Sequence, residues 1–475
     1  MRESITPRAT DYSEWYQDVI DAAELAEHGP VRGTMVIKPY GYALWEATQR
    51  YLDQKFKETG VQNAYFPMLI PESFLHREAK HVEGFSPEVA VVTHAGGKKL
   101  DEPLVIRPTS ETIMYEVFSK WIHSHRDLPL LINQWANVVR WEMRPRLFMR
   151  TTEFLWQEGH TAHATFEEAD ARARQMLKIY ENFASEMMAI PVISGIKSES
   201  EKFAGALHTY SVEAMMQDGK ALQFATSHNL GQNFAKAFDV SFTDDSNQKQ
   251  FVWQTSWGLS TRVIGGLIMV HSDDKGLVLP PNIASIQAVI IPIWNNEETK
   301  TLVLEKAREL FNDLNKIHPG RIVLDEDDIR SGEKHYKWEK KGVPLRIEIG
   351  PKDIAADTLV VVRRDTNEKI NIKRGEASSL DKFLKTVQEN LYQTALKRQA
   401  EKTKQVDTWD EFKEAIEAGY FVLAHWSGDK EVENKIKEET KATIRCISFD
   451  QKEEIGKCVY SGAPSKGRVI FAKGY

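Results

Sequence analysis

Cysteine is nearly missing from this chain: Cys446 and Cys458 are the only two in 475 residues, too few for a disulfide framework or a four-thiolate zinc site. Long apolar runs are missing too. No stretch approaches the roughly 20 residues of a membrane-spanning helix, and the N-terminal MRESITPRATDYSEWYQ is too polar for a signal peptide. The expected compartment is therefore the cytoplasm, with no membrane partner. Neither a GxxxxGK loop ending in Ser or Thr nor a GxGxxG fingerprint occurs, so the two standard parallel-sheet nucleotide folds lack support. No internal repeat or low-complexity tract is found. A net charge of -7 argues against indiscriminate coating of nucleic acid, although a local basic face survives such averaging.

What is present suggests about three domains, at roughly 150 residues each. The first 280 residues are rich in Trp, Phe, Met and His, whereas Lys, Glu, Ile and Val dominate from Ile283 onward, which sets the main boundary between 1–282 and 283–380. Leu44, Thr48, Leu52 and Phe56 share one face of a helix expected over 41–59, followed by a strand over 61–66 that Pro67 stops. Ala169, Ala173, Met176, Tyr180, Phe183 and Met187 mark a second helix over 167–188, its stripe read as packing. Strands over 286–291, 321–324, 345–349 and 358–362, with a helix over 297–317, suggest a separate α/β module. The amphipathic run Leu380, Phe383, Val387, Leu391 continues into ALKRQAEKTKQ, read as a charged tether, and 381–407 is expected to be a helical linker. A capping box at Thr408 and Glu411 then opens a third domain, 408–475, with strands over 421–425, 443–448 and 468–472.

The densest chemistry lies in Arg140-Trp-Glu142, a short basic loop, and Arg150-Thr151-Thr-Glu-Phe154. With strands expected over 137–140 and 154–157, the loop 143–149 becomes a cationic hairpin tip. Guanidinium forks match phosphate oxygens and an aromatic ring covers a purine, so a nucleoside triphosphate is the expected guest. Downstream, Gln254-Thr-Ser256-Trp-Gly258-Leu-Ser260-Thr-Arg262-Val-Ile-Gly265-Gly266 places a small-residue strand before an arginine and an apolar helix over 263–270. Glycine there is expected to let a ligand lie on the backbone.

Helix-strand-Pro67, the Arg140 to Phe154 stretch and the Gly258 to Arg262 stretch resemble, in order, motifs 1, 2 and 3 of the class II aminoacyl-tRNA synthetases. Arg107-Pro-Thr109-Ser-Glu111, Trp156-Gln-Glu158-Gly-His160 and Thr226-Ser-His228-Asn-Leu-Gly-Gln-Asn-Phe234 further resemble the prolyl-tRNA synthetase family, in its archaeal and eukaryotic-like form, over nearly the whole chain. The resemblance implies an α+β fold: an antiparallel-sheet class II catalytic core, an α/β anticodon-binding domain and a small α/β C-terminal domain. It also implies a homodimer through motif 1, with ATP, Mg²⁺, L-proline and tRNA(Pro) as partners.

Residue by residue, the resemblance assigns Arg140 to the α-phosphate and the amino-acid carboxylate. Glu142 faces the adenine side and Phe154 stacks on the base, while Arg150 and Arg262 hold the far phosphates. Thr151, Gln223, Thr226 and Ser260 complete the ATP site. Thr109 and Glu111 take the imino nitrogen, and Trp156, Glu158, His160, His228, Ser256 and Gly258 shape the pocket. Arg346, Glu348 and Lys352 resemble the anticodon-reading face, where Arg, Lys and Glu pair with base edges. No protein nucleophile is implied. Simpler roles compete: His160 and His228 as satisfied histidines, Glu111 as a helix-dipole partner, Phe154 and Trp156 as core.

Two departures stand out. Thr261 replaces the acidic residue usual before the motif 3 arginine, as in the prolyl subgroup. Ser427 and Ser461 stand where zinc-binding cysteines are expected around Cys446 and Cys458, so no zinc and an inert Cys458 are expected. Positions 163–250 are expected to hold one long helix and a few short elements, without room for an inserted editing domain. Alternatives are another class IIa synthetase, or an RNA-binding paralogue that no longer charges tRNA; the latter is expected to lose Arg140, Glu142 or Arg262, all present here.

Overall fold

Six strands between residues 130 and 260 form the centre of one sheet, and each pairs antiparallel with its neighbour. The computed structural model describes residues 4–79, 89–141 and 144–475. Across the sheet the strands run Leu130–Val139, Glu153–His163, Trp253–Ser260, Ala221–Gly231, His208–Met215 and Val192–Ile196. The α+β expectation, with an antiparallel catalytic core, is met. Three of these strands fall within 163–250, so that stretch carries a large part of the sheet and not merely a few short elements.

One face of the sheet is covered by two helices. Pro39–Glu58 buries Leu44, Trp45, Thr48, Leu52 and Phe56, and Phe166–Asn182 buries Ala169, Ala173, Met176 and Tyr180. Pro39, at the first turn, costs no hydrogen bond there, and the Thr165 side chain accepts from the Glu168 N–H to cap the second helix. That second helix widens into a π turn over Phe183–Met187, so it does not run to 188 as a regular helix. Even-numbered residues of Glu153–His163 point away from these helices, which leaves the opposite face to build a cavity.

The expected strand over 61–66 shortens to Gln62–Asn63, parallel to Leu130–Val139. Side chains explain the loss. The Phe66 N–H donates to Gln134 Oε1 (2.5 Å), and the Phe66 carbonyl accepts from Arg107 (2.8 Å), so Phe66 needs no ladder partner.

The next module is a five-stranded sheet in the order Ile322–Leu324, Ala288–Pro292, Leu345–Ile349, Thr358–Arg363, Lys369–Lys373. Its first three strands are parallel and the rest antiparallel. The last strand, KINIK, alternates polar and apolar residues but is only five residues long, and it is not among the expected strands. Helix Leu380–Glu401 follows, and it is no tether. Leu380, Leu384, Val387 and Leu391 belong to the core of the five-stranded module, Ala395 belongs to the catalytic core, and Arg398 donates to the Val270 carbonyl (2.9 Å). Lys397 and Glu401 of ALKRQAEKTKQ therefore mark the outer face of a packed helix, while Arg398 points inward.

The C-terminal strands Thr403–Gln405, Phe421–His425, Arg468–Lys473 and Ala442–Ser448 join the catalytic sheet edge to edge. Ile447 pairs with Ile196 and Ser448 with Gly195, giving eleven continuous strands. Tyr475 is held as well: its N–H donates to the Ala221 carbonyl (3.1 Å) and its hydroxyl to Asp218 (2.6 Å).

Candidate active site

Strand register assembles the site. Ser260 lies opposite Trp156, Gly258 opposite Glu158, and Ser256 opposite His160; on the next strand Thr226 faces Gly258 and His228 faces Ser256. Period two then places all of these on one sheet face. They line a cavity of about 330 Å³ together with Thr109, Glu111, Arg140, Phe154, Gln223 and Arg262, a size suited to a small-molecule site.

The two arginines reach the cavity from different segments. Arg140 follows strand Leu130–Val139; its Nε donates to the Pro108 carbonyl (3.0 Å), and its Cζ lies 5.7 Å from the Phe154 ring centre and 5.6 Å from that of Trp156. The two rings meet edge to face, with 6.2 Å between centroids. Arg262 opens helix Arg262–His271, and its Nε donates to the Met149 carbonyl (3.2 Å) in the basic loop. That bond ties motif 3 to the loop of motif 2.

Also in the cavity wall, Glu111 begins helix Glu111–Trp121 and accepts a hydrogen bond from the Thr109 hydroxyl. Glu158 is saturated. Ser110 and Gln134 (2.9 Å) donate to one oxygen, and His160 Nε2 lies 3.0 Å from the other. Tyr115 meets His160 Nδ1 at 3.0 Å. Burial opposes protonation of His160, but the Glu158 hydrogen bond and the charges of Glu158 and Glu111 outweigh it, raising the imidazole above its ordinary value. His228 is the reverse: burial, helped by His160, pushes it down to about 3, so it is neutral. The Trp156 Nε1 and Ser256 Oγ atoms are buried without a hydrogen-bond partner, and such atoms in a cavity wall suit a polar guest.

Two assigned residues are not brought in. Arg150 is exposed on the loop and does not line the cavity. Thr151 is buried, with its hydroxyl donating to the Glu153 carbonyl (2.7 Å). Glu142 lies outside the described residues. The glycine expectation divides. Gly258 lines the cavity, whereas a Cβ on Gly265 would meet Met149 Sδ at 2.6 Å and Tyr16 Oη at 2.7 Å. Gly265 thus lets a helix approach the basic loop and has no ligand role.

Sequence reasoning missed Glu201, Phe203 and Thr209, which also line the cavity. Phe203 packs on His228 with 4.8 Å between ring centres, and Thr209 Oγ1 lies 3.0 Å from His228 Nδ1. None belongs to a dense motif; only the strand pairing that brings Thr209 opposite His228 reveals them. Arg107, 1% exposed, is structural: it also donates to both the carbonyl and the side chain of Asn137.

In the five-stranded module, Arg346 donates to Glu348 (2.9 Å), and His335 lies 3.3 Å from the same carboxylate oxygen. Lys352 sits apart, exposed on the short helix Pro351–Ala356. The cysteines are also separate. Cys446 is buried with Met215, Phe421 and Ile470, and burial pushes its thiol up to about 12. Cys458 is also buried, but its surroundings differ. Burial opposes its ionisation, but hydrogen bonds from Ser461, Tyr460 and Ser427 prevail and lower the thiol below its ordinary value. Among the described residues no three His, Cys, Asp or Glu side chains gather to hold a metal, and no helix is long and apolar enough to cross a membrane.

Three family models match the chain: the tRNA synthetase class II core domain (G, H, P, S and T) at 93–271, an anticodon-binding domain at 287–390, and the prolyl-tRNA synthetase C-terminal domain at 409–475. The proline–tRNA ligase of Chloroherpeton thalassium is 57% identical to it, over the full length of both chains. That of Chlorobium limicola is 56% identical, again over both full lengths. The proline–tRNA ligase of Phocaeicola vulgatus is 54% identical, across all of this chain and 99% of its own.

Proposed function

The chain belongs to the prolyl-tRNA synthetase family of class II aminoacyl-tRNA synthetases, and from that membership we propose how its cavity activates L-proline with ATP and charges tRNA(Pro). A proline carboxylate oxygen attacks the α-phosphorus of ATP; the bond to the bridging oxygen breaks, pyrophosphate leaves, and prolyl-adenylate remains. A hydroxyl at the 3′ end of tRNA(Pro) then attacks the prolyl carbonyl and AMP departs. No side chain bonds to the substrate.

The observation that carries this reading is one cavity lined both by the guanidinium groups of Arg140 and Arg262 and by a Thr109–Glu111 pair. Proline is a cationic secondary amine with two N–H donors, which suits one carboxylate and one hydroxyl. Arg140 serves the α-phosphate and the carboxylate, and Phe154 offers a face to adenine. Arg262 serves the distal phosphates, and Arg150, exposed on the loop and outside the cavity wall, would join it only if the loop swung inward. Gln223, Thr226 and Ser260 line the nucleotide end; Trp156, Glu158, His160, His228, Ser256 and Gly258 wall the proline end. Charge building on the phosphoryl oxygens meets cations already held by carbonyls, so little reorganisation is needed. Mg²⁺ would arrive with ATP and supply further positive charge beside that of Arg140 and Arg262.

Our division of the chain is 1–282 for catalysis, 283–380 for the anticodon, 381–407 as the helical connection and 408–475 as the C-terminal domain. Arg346, Glu348 and Lys352 would meet anticodon base edges, the first two by exchanging their mutual ion pair for the base. A homodimer is supported by Tyr65 (72% exposed), Met68, Leu69 and Trp121, apolar side chains left uncovered around Pro67; sedimentation of a monomer at micromolar concentration would remove it. Its tRNA substrate argues for the cytoplasm. Serine around Cys458 is a poor zinc donor, so purified protein is expected to carry well under one zinc per chain by elemental analysis, and stoichiometric zinc would overturn this.

Pyrophosphate exchange tests the main reading. Exchange with ATP is expected to depend on proline and to be far weaker with histidine, threonine or serine; a preference for any of those three would refute the assignment.

A further inference from the structure

The stretch joining strands Val192–Ile196 and His208–Met215 forms a cavity wall through Glu201 and Phe203, and the C-terminal domain grips it at several points. Lys197 Nζ donates to Glu213 (2.7 Å) and to the Arg445 carbonyl (2.6 Å), while the Arg445 guanidinium donates to the other Glu213 oxygen (3.1 and 2.9 Å). Ser198 donates to Glu433 (2.6 Å), and Lys437 Nζ lies 2.9 Å from Glu201 Oε1. Glu433 and Lys437 lie on one helix, Lys430–Thr440. Within the wall, the Phe203 N–H donates to Thr209 Oγ1 (2.9 Å), which in turn meets His228.

These contacts differ in kind. The Lys197–Glu213–Arg445 group is buried, and removing one member leaves an uncompensated charge; it joins the two domains. The Lys437 side chain is 53% exposed, and an ion pair of that sort adds little to folding. Yet its partner is a carboxylate in the cavity wall. Three described carboxylates line the cavity: Glu111, Glu158 and Glu201. Glu158 is saturated by Ser110, Gln134 and His160, and Glu201 is paired with Lys437, which leaves Glu111, with Thr109, to receive the imino cation.

Resting on the assignment of this cavity to proline, we propose that Lys437 and Glu433 are positioning residues for the amino-acid pocket. Lys437 neutralises Glu201, so that only Glu111 competes for the ammonium, and Glu433 anchors the wall at Ser198, fixing Phe203 against His228. The C-terminal domain thereby shapes proline capture without touching the substrate. Burial raises the Glu433 carboxyl above its ordinary value, consistent with a group kept from water.

Pyrophosphate exchange in the full-length chain, with proline and ATP varied separately, tests this. Lys437→Ala is expected to raise the KM for proline about fivefold, the ratio that about 1 kcal/mol gives, with the KM for ATP unchanged and Tm within a few degrees. Glu433→Ala is expected to raise the proline KM about tenfold, the ratio for about 1.4 kcal/mol. Glu433→Gln should restore most of it, since the amide oxygen still accepts from Ser198. Lys435→Ala, exposed on the same helix, serves as the control. The inference fails if Lys437→Ala and Glu433→Ala leave the proline KM at the wild-type value. It also fails if they raise both KM values together while Tm falls, the mark of simple domain docking. Should wild type exchange with a different amino acid, the cavity assignment falls instead, and the same split is then measured with that amino acid.

Discussion

Arg140→Ala is expected to lower proline-dependent pyrophosphate exchange by at least about 100-fold, the loss that follows when one preorganised donor worth about 3 kcal/mol is removed, while the folded state survives. In the proposed reaction, attack on the α-phosphorus gathers negative charge that Arg140 would meet, and its guanidinium is held in advance by the Pro108 carbonyl and the faces of Phe154 and Trp156. Arg140→Lys should recover little: a single ammonium cannot span a phosphate and a carboxylate as a planar fork does. The fold should tolerate both changes, because Arg140 lies beyond the end of its strand and outside the apolar core. Exchange near the wild-type rate in Arg140→Ala, with Tm matched, would contradict this role.

Much of that site was legible in sequence because dense motifs coincide with strands. Trp156, Glu158 and His160 alternate, as do Ser256, Gly258 and Ser260, so period two alone puts each set on one face. Register between strands was not legible; the pairing of His228 with Ser256 and of Ser256 with His160 is a tertiary fact. The same limit hid Thr209 and Phe203, whose place depends on a neighbouring strand. The tether expected after Leu391 failed for a related reason: charges on one side of a helix look like solvent-borne linker until two different cores claim its other side. Edge pairing of Ile447 with Ile196 leaves no periodic signature at all. Phe66 shows the converse, where buried Arg107 and Gln134 replaced the ladder bonds that its apolar pattern promised.

Stability is expected to fall as pH drops from 8 to 5, before most carboxylates titrate. Burial, reinforced by Arg172, pushes His163 down to about 4; burial, with Arg398 adding to it and the Met188 carbonyl opposing, does the same to His271. Both are neutral in the folded chain and titrate near 6.5 once unfolded. Their stabilising contribution is therefore complete above about 6.5, declines as the unfolded state takes up protons, and is lost by the time pH reaches about 4. At pH 5 each costs about 2 kcal/mol, together a large share of the 5–15 kcal/mol typical of folded proteins. His228 acts in the same direction. His160, raised above its ordinary value, acts against them: its contribution is present below about 6.5 and disappears as pH rises through its folded value. Urea unfolding across this range should show the decline, and combining His163→Gln with His271→Gln should flatten it, whatever those changes cost at pH 8. If the double variant keeps the wild-type slope, protons taken up by these two histidines on unfolding are not its source.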